Sequence, residues 1–224
     1  VLVLALDTAT STVTAGVVEL PPAGAPVVRA ERVSADARKH GELLMPNVLA
    51  ACAEAGVALR DVDAIVTGAG PGPFTGLRVG MVTAAALGDA LGKPVHGVCS
   101  HDAIAREACA QRLSGNLLVV TDARRREVYW AGYDAEGARI TGPHVEAPAV
   151  LVERLAGFPS VAAAGEKAEV TGLPVVGPAT PGVTGLVAVA ADALRSGAEP
   201  GPVRPLYLRR PDAVEPGARK RVSA

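Results

Sequence analysis

The sequence predicts an α/β protein made of two similar halves, each a mixed sheet flanked by helices. Three observations carry that expectation. An apolar run from Val1 to Leu6 ends in Asp7, and a second from Leu117 to Thr121 ends in Asp122. Each run is followed by a polar turn and an apolar return segment, and then by stretches with helical spacing. Continuous apolar runs of this length mark strands buried on both faces, and recurrence of the whole unit marks an internal duplication. A chain of 224 residues has room for two such units.

In the first half, Asp7-Thr8-Ala9-Thr10-Ser11 is the turn, and Val13 to Leu20 the return strand. Pro21-Pro22-Ala23-Gly24 breaks that strand, and Val27 to Ser34 completes an antiparallel meander. A helix from His40 to Ala55 stops at Gly56, where a residue free to adopt a left-handed conformation is expected. Val62 to Gly68 is a strand leading into Gly70-Pro71-Gly72-Pro73, and a second helix opens at Phe74 and runs to Leu91. Val95 to Val98 is a short strand, and a helix from Asp102 to Arg112 closes the half.

In the second half, Arg124 to Glu127 forms the turn and Val128 to Tyr133 the return strand. A strand at Arg139 to Thr141, a helix at Pro148 to Leu155, a strand at Ser160 to Ala164 and a helix at Thr184 to Ser196 follow. The expected division is residues 1–100, residues 101–200, and a C-terminal segment 201–224 that packs back on the first unit and ends flexibly. Two strand-Asp-turn-strand units with following helices are the pattern of the actin-like, sugar-kinase-like and Hsp70-like ATPase folds.

Composition narrows the function. Hydrophobic residues make up 49% and charged ones 20%, enough for a sizeable core. Aromatic residues are only 3%, so elements must meet through small side chains and close backbone approach. The formal net charge is −1, and most of the chain shows no basic stripe of the kind that grips nucleic acid. The exception is the end, with Arg204, Arg209, Arg210, Arg219, Lys220 and Arg221 against Asp212 and Glu215, which reads as a solvated tail. Cys52, Cys99 and Cys109 form no CxxC pair and read as small buried hydrophobes in a reducing compartment. No apolar stretch is long enough to span a membrane and no signal-peptide pattern opens the chain, so a cytoplasmic protein is expected.

Three segments could carry chemistry. In an actin-like fold the two hairpin turns face each other around nucleotide phosphates, which makes Asp7, Thr8 and Thr10 candidates for nucleotide binding and Asp122 a candidate to orient metal-bound water. The alternative is that both aspartates satisfy backbone N–H groups of tight turns. Arg124, Arg125 and Arg126 stand where a phosphate loop needs small residues, which favours that alternative at the second turn and leaves the first open. The loop Gly70-Pro71-Gly72-Pro73 lacks the Lys-Ser/Thr of a P-loop, and its prolines remove N–H donors. It reads as a rigid corner, with Thr75 as N-cap of the helix that follows.

That helix carries only Arg78 and Asp89 as formal charges, while Gly76, Gly80, Ala84 and Gly88 recur every four residues. A helix apolar nearly all round is covered on both sides, and a stripe of small residues admits another backbone closely. Three glycines at one spacing, each costing about 1 kcal/mol against alanine, require a packing reason. Leu44, Val48, Ala51 and Cys52 give the preceding helix a similarly broad apolar surface. These eight residues are therefore expected to form a partner interface. No GxSxG or HExxH motif is present, and His40, His96, His101 and His144 show no zinc spacing, so neither a metal nor a catalytic residue is assigned.

Several of these segments together resemble the TsaB (YeaZ) family: Leu4-Ala-Leu-Asp-Thr-Ala-Thr10, His40-Gly-Glu-Leu-Leu-Met-Pro46, Gly70-Pro-Gly-Pro-Phe-Thr-Gly-Leu-Arg78, Thr121-Asp-Ala-Arg-Arg-Arg-Glu-Val-Tyr129 and Pro205-Leu-Tyr-Leu-Arg209. Pro73 stands where that family usually has Ser, which would move capping to Thr75. The resemblance implies an actin-like fold and a non-catalytic scaffold subunit for threonylcarbamoyladenosine (t6A) modification of tRNA next to the anticodon. It implies docking through the two apolar helices onto a TsaD-like catalytic relative, a TsaE-like ATPase joining the pair, and a homodimer when alone. The metal-binding HxxxH of the catalytic relative is matched here by His40 but not by Leu44. No tightly bound cofactor is implied; ATP or ADP and Mg would enter at the complex, and tRNA contact would be indirect, through it. The competing readings are an independent actin-fold ATPase or small-molecule kinase and, behind it, a glycoprotease-like peptidase, for which no nucleophile-base arrangement is present.

Overall fold

The computed structural model describes residues 1–36 and 38–209. The first sheet contains β1 (Leu2–Asp7), β2 (Thr12–Glu19), β3 (Val27–Ala35), β4 (Ala64–Gly68) and β5 (Val95–Val98) in the order β3-β2-β1-β4-β5. The second contains β6 (Asn116–Asp122), β7 (Val128–Tyr133), β8 (Arg139–Glu146) and β9 (Ser160–Ala164) in the order β8-β7-β6-β9. In each, the opening strand pairs antiparallel with the second and parallel with a later one, so the two halves share one topology. Among the described residues, five α-helices surround the sheets: α1 (His40–Ala55), α2 (Phe74–Leu91), α3 (Ser100–Cys109), α4 (Pro148–Arg154) and α5 (Val183–Ser196). This is the duplicated actin-like α/β architecture.

The period-two alternation of a strand sorts β1 between two cores. Leu4 and Leu6 lie with Leu44 and Val48 of α1 and Ala84 of α2. Val3 and Ala5 lie with Val183, Leu186, Val187, Ala190 and Leu194 of α5. In the second half, Leu117 and Val119 face Ile104, Ala105 and Ala108 of α3, while Leu118 and Val120 face Leu151 of α4. Burying each such Leu or Val contributes about 1.5–3 kcal/mol, which is why both openings are unbroken apolar runs.

The division expected at residue 100 is crossed by two helices. The apolar face of α5, inside the 101–200 unit, covers the first sheet rather than the second. Helix α3 sits between the halves, packed on both α5 and β6. Residues 203–209 straddle them too. Val203 lies against Gly97, Leu206 N donates to Ala69 O at 2.8 Å, and Arg209 Nη1 donates to Ala123 O at 3.0 Å in the second half. The expected flexible end and most of the basic tail fall in 210–224, outside the described residues.

The small-residue stripe also needs correction. Gly76, Gly80, Ala84 and Gly88 of α2 are all buried within the chain itself, as are Leu44, Val48, Ala51 and Cys52 of α1. A methyl group added at Gly80 would lie 2.5 Å from Thr8 Oγ1, and one at Gly76 would lie 2.8 Å from Thr8 O. At Gly88 it would collide with Val95. What these glycines admit so closely is Thr8 in the turn after β1 and the Lys93–Val95 stretch that enters β5. The eight residues line the chain's own core, because the flank of the first sheet must be covered before any partner can be. Part of what remains outward on these helices is still apolar: Leu49 is 53% and Val82 66% exposed, beside exposed Ala50, Ala53, Ala85 and Ala86, with Glu42, Glu54, Arg78 and Asp89 also exposed.

Candidate functional site

The ends of β1 and β6 and the turns that follow them are the place to look for chemistry in this fold. Asp7, at the end of β1, is 1% exposed. Its Oδ1 accepts from Ala9 N at 2.7 Å and its Oδ2 from Ser100 Oγ at 2.5 Å. Burial pushes its pKa up to about 6, against the opposing pull of the Ser100 and Ala9 hydrogen bonds. A side chain at Gly68 would run into this carboxylate, so glycine is required there.

The Thr8 hydroxyl donates to Gly76 O at 2.6 Å and accepts from Gly80 N at 2.9 Å. It thus sits inside one i→i−4 step of α2, fixing the turn to that helix. Thr10 is buried, with its hydroxyl 3.2 Å from Thr12 Oγ1, and its carbonyl accepts from His40 Nε2 at 3.0 Å. Asp7, Thr8 and Thr10 therefore hold the turn against α1, α2 and α3. Their polar atoms are engaged inside the chain, as the structural alternative expects of turn residues.

Neighbouring residues of α3 tie the two halves together. Ser100 bonds to Asp7 at the end of β1, and His101 Nε2 lies 2.7 Å from Thr121 Oγ1 near the end of β6. His101 is fully buried, and desolvation takes its pKa down to about 3, so it stays neutral at physiological pH. Glu166 makes a second tie: Ser11 Oγ donates to its Oε2 at 2.6 Å and Asp122 N to its Oε1 at 3.2 Å. No local pattern in the sequence marks Ser100, His101 or Glu166 for these roles.

The second turn differs from the first. Arg124, Arg125 and Arg126 all have positive φ, at 60°, 53° and 63°. Three consecutive non-glycine residues in the left-handed region form a turn closed by Glu127 N donating to Arg124 O at 3.0 Å, with all three side chains exposed. Asp122 ion-pairs with Arg124 at 3.3 Å rather than facing an open cradle.

Two motifs distant in sequence meet at the start of α2. The rings of Phe74 and Tyr207 are 4.8 Å apart, Arg78 Nε donates to Tyr207 Oη at 2.7 Å, and the Arg78 guanidinium lies 5.7 Å and 5.5 Å from the two ring centres. Thr75 is exposed and does not cap α2; its N-cap is Pro73, which makes no side-chain cap bond. The pyrrolidine instead fixes φ at −59°, an entry angle suited to a helix start.

A cavity of about 440 Å³ lies where β5, α3, α5 and the 200–206 segment meet, with Cys99, Asp102 and Arg139 in its wall. Asp102 is engaged there, accepting from Tyr133 Oη at 2.8 Å and pairing with Arg139 at 3.5 Å. Burial pushes the Cys99 thiol up to about 12, so it is no nucleophile at neutral pH. Among the described residues, no group of three His, Cys, Asp or Glu side chains is placed to hold a metal ion, and no helix is long and apolar enough to cross a membrane.

Comparison with known proteins adds the following. The family model for TsaD, tRNA N6-adenosine threonylcarbamoyltransferase, matches residues 29–196. An uncharacterized protein of Mycobacterium tuberculosis is 54% identical over 213 residues, covering 94% of this chain and 93% of that protein. The tRNA threonylcarbamoyladenosine biosynthesis protein TsaB of Escherichia coli is 34% identical over 122 residues, covering 53% of each chain. The solved structure of YeaZ from Pseudomonas aeruginosa superposes with a TM-score of 0.74 at 28% identity, covering 92% of this chain and 99% of that one.

Proposed function

The chain belongs to the tRNA N6-adenosine threonylcarbamoyltransferase family, on its TsaB (YeaZ) branch, and from that premise we propose that it is a non-catalytic scaffold subunit. It takes part in threonylcarbamoyladenosine modification of tRNA, and it does so by docking onto a TsaD-like catalytic relative. A TsaE-like ATPase joins the pair, bringing ATP or ADP and Mg to the complex, and the chain alone pairs with a second copy through the same face.

The observation that carries this reading is the outward face of α1 and α2. Leu49 and Val82, more than half exposed, sit among exposed alanines with no charge between Arg78 and Asp89 along α2. Covering each of the two larger side chains would contribute about 1 kcal/mol, half the value for full burial. The docking residues are therefore Leu49, Ala50, Ala53, Val82, Ala85 and Ala86, on the faces opposite the buried stripe. The turn residues support the non-catalytic part, because Asp7 and Thr8 spend their polar atoms on Ser100, Ala9, Gly76 and Gly80.

The test is Val82→Arg and Leu49→Asp in the full chain, mixed with the TsaD-like protein of the same cell and followed by sedimentation and by t6A formation on tRNA. Both variants should melt like the parent, lose the complex and lose modification. Unchanged association would overturn the docking assignment. Micromolar affinity for a nucleotide with Mg and turnover by the chain alone would replace it with the ATPase or kinase reading.

A further inference from the structure

The cavity of about 440 Å³ is walled by both halves of the chain. His96 comes from β5 of the first sheet and Arg139 from the first residue of β8 in the second, with α3 and α5 closing the space between. Val189, Ala190, Ala193 and Leu206 give it an apolar lining, and its polar side chains are His96, Cys99, Asp102 and Arg139. Cys99 and Asp102 have partners inside the fold. The other two are differently placed. His96 is 8% exposed, yet its ring makes no hydrogen bond among the described residues, and it stands between this cavity and a second of about 260 Å³. A buried polar group without a partner is uncommon and marks a place where one is missing.

Arg139 presents a planar fork of N–H donors that the chain barely uses. Its Nη1 donates to the Cys99 thiol at 3.8 Å, and sulfur is a weak acceptor. Its ion pair with Asp102 runs through Nε at 3.5 Å, longer than the about 2.7–2.9 Å of a charge-assisted hydrogen bond. Asp102 makes its shorter contact elsewhere, accepting from Tyr133 Oη at 2.8 Å. No oxygen among the described residues accepts a hydrogen bond from this guanidinium. With its side chain 34% exposed, Arg139 stands at the mouth of the cavity, and His96 lies deeper. Donors at two ends of an apolar lining suit a molecule with acceptor oxygens and an apolar body. A guanidinium fork matches a carboxylate, whose two oxygens take parallel N–H bonds. The negative Asp102 beside it disfavours a more highly charged anion such as a phosphate.

We propose that this cavity is a binding site for a small monocarboxylate, its carboxylate on Arg139 and its apolar body along α5 toward His96. Because Arg139 and His96 belong to different halves, the ligand spans the junction and holds the two together. No residue of α1 or α2 lines the cavity, so the site does not rest on the docking reading above.

The probes are phenylacetate and phenylacetamide, which share a body and differ in the carboxylate. Each is titrated into the isotope-labelled full chain and followed by the backbone amide signals in nuclear magnetic resonance. Phenylacetate should shift Gly97, Cys99 and Gly201 saturably at millimolar concentrations and raise the melting temperature, as any ligand of the folded state does. Phenylacetamide should bind at least about tenfold more weakly, the loss expected when a charged hydrogen bond becomes a neutral one. Arg139→Gln should weaken phenylacetate by a similar factor and leave phenylacetamide unchanged. Ala193→Phe fills the space beside His96 while keeping Arg139, and should abolish binding of both probes. This second variant decides the matter if Arg139→Gln does not melt cooperatively. Arg60→Gln, an exposed arginine outside the cavity, should bind as the parent does. Equal affinity for the two probes, undiminished binding in Ala193→Phe or in a folded Arg139→Gln, an equal loss in Arg60→Gln, or no saturable shift in the parent overturns the site.

Discussion

Gly80→Ala places the smallest possible side chain on the stripe of α2 and separates an inward stripe from an outward one. Its new methyl would lie 2.5 Å from Thr8 Oγ1, well inside ordinary contact, and that oxygen is the one accepting from Gly80 N at 2.9 Å. The methyl must push Thr8 away or lift α2 off the turn. Overpacking costs about 1–3 kcal/mol, and a buried hydrogen bond left open about 1–3 more. Against this stands a gain of about 1 kcal/mol for replacing glycine by alanine in a helix. The net is a loss of about 3 kcal/mol, which for a chain of this size lowers the melting temperature by about 6–12 °C. Gly41→Ala, in the first turn of α1 with nothing within 4 Å, is the matched control and should be neutral or up to about 1 kcal/mol more stable. Urea unfolding with an unchanged m-value is the assay. If Gly80→Ala proved as stable as Gly41→Ala, the stripe would have to face solvent or a partner, and the packing account would fall.

Asp7 and Cys99 supply two more predictions. Folded Asp7 holds its proton up to about pH 6, whereas the unfolded side chain releases it near 3.8. Between those values the folded state binds the more protons, so this group's contribution falls as pH rises through the window, by about 3 kcal/mol for a shift of two units. Asp7→Asn can keep both partners, accepting from Ala9 and donating to Ser100. It should match the parent below about pH 4 and exceed it at pH 7, and a stability–pH slope that survives the substitution refutes the assignment. Cys99, with its thiol pushed up to about 12, should resist iodoacetamide at pH 8 until the chain is unfolded; rapid native alkylation would contradict its burial.

The elements were legible wherever a local rule decides them. Gly56 ends α1 in the left-handed conformation that its position suggested, and Gly92 ends α2 in the same way. Strand β8 runs on to Glu146, beyond the expected Thr141, because pairing with β7 carries it past Gly142-Pro143. Helix α3 begins at Ser100 rather than Asp102, since Ser100 is held by Asp7. The direction of the small stripe was not legible at all. Periodicity shows that a face is buried, and it carries no information on whether the chain's own sheet or another polypeptide buries it. Nor could local pattern find the ties. Ser100 meets Asp7 across 93 positions, Tyr207 meets Arg78 across 129, and Glu166 meets Ser11 across 155.

Those ties bear on where the chain's free chemistry lies. At the first turn a hydroxyl, a carboxylate and two backbone N–H groups satisfy one another, and at the second the hairpin is closed by its own backbone and an aspartate. A phosphate entering between the turns would have to break buried hydrogen bonds before making its own, at about 1–3 kcal/mol for each one left open. Leu49 and Val82, more than half exposed on the outward faces of α1 and α2, carry no such cost.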